Sequence, residues 1–466
     1  MKKNFFYTVF LFVSIAGCPN LVKAVALPAI FSNHMVLQQN ADVTIWGWGN
    51  PGEEITVTGS WYKQAIKTKA NNLAHWRIKI KTPVAGGPHS LTVKGHNTII
   101  IQDIQMGEVW LCSGQSNMNW TTKAGIDNGP QETLKANYPQ IRFFTVPQRS
   151  ADGAQLDVDA KWIVCTPETM PDFSAVGYFF GQKIHETLQV PVGLINSSWG
   201  GTPAEIWVNP KTISDNPILA EAATKLKEES YGPNKPGKAY HAMIAPLIPY
   251  QLAGALWYQG ETNVSNAQNY KILLPALINN WRTEWGNDFP FYFVQIAPYN
   301  YGDNTNGVQL RDAQRQSLSV LKTGMVVISD IGNIKDIHPR NKIPVGQRLA
   351  NWALNNTYGK KEIIYSGPLY KSMKVEKNKI RIYFDHTEPG LQVKGKELTD
   401  FEIAGPDQQF LKARARIAGN TVVVDTPEIK NPVAVRFGWS NMAEPNLFNK
   451  AGLPASSFRT DDWPIK

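Results

Sequence analysis

The chain has 466 residues and a formal charge of +9. That length exceeds one compact core and leaves room for two or three domains. Its lysines and arginines are scattered rather than gathered into runs, which disfavours a nucleic-acid partner and leaves attraction of an anionic substrate open.

Residues 1–24 read as an export signal: Lys2 and Lys3 precede an apolar run, Phe5 to Ala16, that is too short to span a bilayer. Two endings fit. Val22-Lys23-Ala24 suits simple cleavage, whereas Ile15-Ala16-Gly17-Cys18 has the form of a lipobox whose cysteine carries a lipid anchor. Cleavage after Ala24 removes Lys2, Lys3 and Lys23 and no acidic residue, so nine less three leaves +6. No later stretch is apolar enough to cross a membrane, and the expected location is the periplasm, free or as an outer-membrane lipoprotein.

From 25 to 105 short alternating strands are broken by turns: Val43 to Trp48, Ile55 to Val57, Trp76 to Ile80, Leu91 to Val93 and Ile99 to Ile101. They predict a small β domain of sandwich type. Between 106 and 358 strand and helix signals alternate, which predicts a three-layer α/β domain on a parallel sheet. Its strands are Glu108 to Cys112, Pro191 to Asn196, Ala253 to Tyr258, Phe291 to Ile296 and Met325 to Ser329. Its helices are Ser174 to Leu188, Ala267 to Trp285, Val308 to Leu321 and Val345 to Thr357. Period-two alternation returns over 359–466, in Ile380 to Phe384, Thr421 to Asp425 and Val433 to Phe437, and predicts a second β unit whose tail, Asn446 to Thr460, can fold back over the α/β domain. After the signal only Cys112 and Cys165 remain; they can pair after export, though an apolar strand such as that of Cys112 more often holds a buried free thiol. Fifteen tryptophans supply flat faces of the kind that hold sugar rings, and core packing accounts for most of them.

The chemistry-bearing residues fall in loops after predicted strands. Gly114-Gln115-Ser116-Asn117-Met118 follows the first strand of the α/β domain at its carboxyl end, where open α/β sheets place their active sites. Ser116 there is either a nucleophile or a helix cap. A serine hydroxyl needs a base, and of eight histidines only His338 lies in a loop just after a predicted strand. Asp336 is the nearest carboxylate to orient that imidazole; Asp330, at the strand end, is the alternative. Backbone N–H groups at Gly200 and Gly201 and side chains of Gln259, Glu261 and Asn263 are the candidates for binding an oxyanion or substrate. Arg340 and Lys342, beside the histidine, can meet an anionic substrate.

In that order the blocks resemble the SGNH hydrolases and, more narrowly, the sialate O-acetylesterase family. The likeness is carried by Gly107 to Met118, Ser198 to Pro203 with Trp207, Ala242 to Pro246, Trp257 to Asn263, Asp336 to Pro339 with Gly346 to Ala350, and Asn449 to Pro454. It implies an SGNH-like catalytic domain, with Ser116 as nucleophile, His338 as base and Asp336 as the acid. It also implies a glycan substrate bearing O-acetylated sialic acid and no metal or other cofactor. In the wider superfamily the acid precedes the histidine by three positions, whereas Asp336 precedes His338 by two, which leaves Asp336, Asp330 or a bare Ser-His pair open. Two rivals compete: an esterase for acetylated xylan or another neutral glycan, and a non-catalytic glycan-binding lipoprotein.

Overall fold

The computed structural model describes residues 25–62, 64–227, 230–302 and 304–464. The segment 1–24 expected to be an export signal, with Cys18, lies outside the described residues.

Seven strands build the central sheet: β1 (Thr98–Gly114), β2 (Tyr138–Thr145), β3 (Trp162–Cys165), β4 (Val192–Ser198), β5 (Gly254–Tyr258), β6 (Phe291–Val294) and β7 (Thr323–Val326). Their order is β7-β6-β5-β1-β4-β2-β3, parallel except for β3, which runs antiparallel at the edge. The inner strands are apolar on both faces because helices cover both sides. Ala175–Leu188 and Lys342–Asn356 pack one face over Trp110, Leu194 and Leu256. Ala267–Trp285 covers the other over Leu111, Trp257 and Phe291. After β1 the chain builds β2 to β4 on one side and then crosses to build β5 to β7 on the other. The carboxyl end of β1 is therefore the switch point at which such sheets form crevices.

The sequence shows two strands, Ile99 to Ile101 and Glu108 to Cys112, where the structure has the single β1. Its first half pairs with Gly86–Lys94 and Val36–Gln38 of the amino-terminal unit, and its second half pairs with β4 and β5. At the bend Asp103 takes a left-handed conformation (φ 54°) and binds the buried Arg142 of β2 at 2.6 Å. The carboxyl-terminal unit packs two four-stranded antiparallel sheets around Ile382, Val424, Val435 and Phe458. Its tail does fold back over the α/β domain, where Ser456 Oγ accepts from Gln295 Nε2 at 2.9 Å. Cys112 and Cys165 are both free and buried, so they do not pair; burial pushes the Cys165 thiol up to about 12.

Candidate active site

β1 ends on Gly114, where φ is +134° and a Cβ would stand 2.2 Å from Tyr258 O of the adjoining β5, so only glycine fits. Gln115 N–H then donates to Tyr258 O at 3.0 Å, and its Oε1 accepts from the N–H groups of Gly260 and Thr262, both at 3.3 Å. These bonds fix the turn that presents Ser116. Ser174 caps its own helix by accepting from Gly177 N–H and donates its hydroxyl to Met118 O at 2.6 Å, which pins the far side of the turn.

His338 Nε2 stands 2.8 Å from Ser116 Oγ. The imidazole stacks on Trp120, with centroids 4.7 Å apart and planes 22° from parallel. Burial first, and the positive charge of Lys342 second, hold the His338 pKa below the usual histidine range against the opposing pull of Asp336. A neutral imidazole is the form that can take the serine proton. Asp336 Oδ1 accepts the His338 backbone N–H at 2.9 Å, so this carboxylate shapes the loop, and no hydrogen bond joins it to the ring among the described residues. Asp330 is held elsewhere: its two oxygens accept from Arg348 Nη1 and Nη2, each at 2.7 Å, with both side chains largely buried.

The remaining candidates divide into two groups. Gly200 lies against the serine, since a Cβ there would be 3.3 Å from Ser116 Cβ. Ser116 opens a short helix, Ser116–Asn119, so its N–H has no acceptor within the helix, and no described residue takes the N–H of Gly200. Both are unclaimed donors beside Oγ. Gly201 (φ +72°) turns the chain under the Tyr231 ring. Gln259 is fully buried and both its amide hydrogens are spent, on Asn263 Oδ1 at 2.7 Å and Thr202 O at 3.2 Å. It braces the loop instead of facing the serine, which corrects its expected role as an oxyanion or substrate ligand. Asn263 accepts from Ala204 N–H and donates to Glu205 Oε2, in both cases at 2.9 Å.

Lys342 corrects another expectation. It does not face solvent, being wholly buried, with Nζ 5.5 Å from the centre of the Tyr258 ring and hydrogen-bonded to Asn117 Oδ1. Asn117 Nδ2 in turn donates to Glu261 Oε1 at 2.6 Å and to Ile337 O at 3.0 Å. Asn117 thus ties the serine, histidine and Glu261 loops together, a role nothing in its sequence context signalled. Burial drives Lys342 down to about 7 and raises Glu261. Arg340 alone of the two cations is exposed.

A hydroxyl and an imidazole in contact at the carboxyl edge of a parallel sheet, beside unclaimed N–H donors, form an arrangement that can support acyl transfer. The profile described as carbohydrate esterase, sialic acid-specific acetylesterase, matches residues 106–355. The sialate O-acetylesterase of Homo sapiens is 31% identical over 486 residues, 93% of this chain and 92% of its own. That of Pongo abelii is 31% identical, over 88% and 86%. The crystal structure of a carbohydrate acetylesterase from Xanthomonas citri matches with a TM-score of 0.86 and 36% identity, covering 94% of this chain and 100% of that one. The chain belongs to the sialic acid-specific acetylesterase family of carbohydrate esterases.

Proposed function

We propose that the chain hydrolyses O-acetyl esters of sialic acids by a serine mechanism, with Ser116 as nucleophile and His338 as base. The observation that carries this is the 2.8 Å contact between Ser116 Oγ and His338 Nε2. Ser116 Oγ attacks the acetyl carbonyl carbon while its proton passes to Nε2. The oxyanion takes the N–H groups of Ser116 and Gly200, each such donor being worth roughly a hundredfold in rate. Collapse expels the sugar oxygen, which leaves with the proton from His338, and acetyl-Ser116 remains. Water then attacks with His338 again as base and releases acetate. Asp336 steadies the imidazolium by its charge and holds the loop through the His338 N–H. The exposed Arg340, two residues after His338, is the cation proposed to meet the sialic carboxylate.

Family membership and the names of the relatives support the sialate preference. The Xanthomonas citri neighbour, a carbohydrate acetylesterase without that restriction in its description, favours a broader acetylated glycan as the second reading. Acetate release from O-acetylated sialic acid and from acetylated xylan separates the two: turnover of the first alone is expected, and equal turnover overturns the sialate preference. Residues 1–24 support export to the periplasm, with Cys18 as the point of lipid attachment if the lipobox is used. No helix among the described residues is long and apolar enough to cross a membrane.

A further inference from the structure

The amino-terminal unit contains a ribbon of two antiparallel strands, Asp42–Trp48 and His75–Lys81. One face, with Val43, Ile45, Trp76, Ile78 and Ile80, is buried. The opposite face should by the same alternation be polar, yet it carries Trp46 and Trp48, both half-buried, directly across from the exposed Arg77 and His75. This face looks into a cleft of about 500 Å³ closed on the other side by Leu156 and by Ala245 to Pro249. That is ample for one or two sugar rings.

Of the fifteen tryptophans in the chain, eleven donate their indole N–H to a protein acceptor. Trp46 and Trp48 do not, and neither does Arg77 have an acceptor or ion-pair partner among the described residues. Trp46 backs edge-on against Phe31 at 4.6 Å, which fixes it as the rear wall of the cleft. The lining contains Lys69 and Arg77 and no carboxylate. Fixed aromatic faces with spare N–H donors suit sugar rings and their hydroxyls, and an unpaired guanidinium in a lining without acid suits a carboxylate.

We propose that this cleft binds a carboxylate-bearing glycan, with Trp46 and Trp48 against the rings and Arg77 on the acid group. It is separate from the catalytic site. Ala245 to Pro249 lead into the start of β5, so the cleft sits at the amino edge of the sheet, whereas Ser116 is at the carboxyl edge. The proposal does not depend on the catalytic assignment. Its role is to hold the glycan while esters elsewhere on the same polymer are cut.

Calorimetric titration of the full chain with sialyllactose, a glucuronic acid-bearing oligosaccharide and lactose tests it. Tighter binding of at least one acidic sugar than of lactose is expected, and which acidic sugar binds tells sialic from uronic acid. Trp48→Ala should weaken that binding about tenfold, and Arg77→Gln should erase the preference for acid. Hydrolysis of p-nitrophenyl acetate should be unchanged in both, which also shows that they fold. Lactose binding as tightly as the acidic sugars, or titrations of both variants superimposing on the unsubstituted chain, would overturn the proposal.

Discussion

Substituting Gly200 by alanine probes the contact on which the proposed oxyanion site depends. The backbone at Gly200 is not left-handed, so alanine brings no conformational penalty, and the added methyl meets one obstacle: Ser116, with Cβ at 3.3 Å and Cα at 3.6 Å. Ordinary carbon contacts lie at about 3.5–4.0 Å, so one side must yield by a few tenths of an ångström. Ser116 is held by the Gln115 and Met118 bonds on one side and its 2.8 Å contact with His338 on the other, and any yielding disturbs that contact or the Gly200 N–H. Displacements on this scale cost on the order of tenfold to a hundredfold in kcat. The measurement is kcat for p-nitrophenyl acetate together with the thermal melting point. Loss of kcat with a nearly unchanged melting point is expected, and a fully active variant would refute the oxyanion role proposed for Gly200 beside Ser116.

Two further outcomes follow from charges near the site. Lys342 carries its proton below about pH 7 and depresses His338, so Lys342→Met should raise the His338 pKa and move the acidic limb of kcat/KM to higher pH; a limb that moves down or stays fixed contradicts the coupling. Asp330→Asn breaks the largely buried bidentate pair with Arg348 and should cost about 3 kcal/mol in denaturant unfolding. Turnover per folded molecule should be retained, because Asp330 does not touch His338, and a collapse of kcat in a folded variant would show that it does.

The residues that were legible in sequence carry a local signal. Helix Ala267–Trp285 has the bounds expected, because Leu274, Leu277, Ile278 and Trp281 repeat on one face and Gly286 ends it in a left-handed turn (φ 62°). Ser116 and His338 were visible because each follows a buried strand in a loop. Strand β2 was not, since Pro139 and the buried Arg142 break its apolar pattern and the pairing of Arg142 with Asp103 is what makes that burial tolerable; β3 is only four residues long, Trp162–Cys165. Asp103 and Gly107 likewise hid the continuity of β1. The burial of Lys342 had no local signal at all: a lysine opening a helix reads as solvated, and its site exists only where Asn117, after β1, meets Tyr258 and Glu261, at the end of β5 and in the loop after it.

The central claim is that Ser116 carries the acetyl group between the two half-reactions. Rapid quenching with acid during turnover of an acetyl ester, followed by mass spectrometry of the peptides, tests it directly. The peptide containing Ser116 should gain the mass of one acetyl group, and Ser116→Ala should lose both that adduct and acetate release while remaining folded. Acetylation of a different residue, or acetate release by Ser116→Ala at the original rate, would contradict the account.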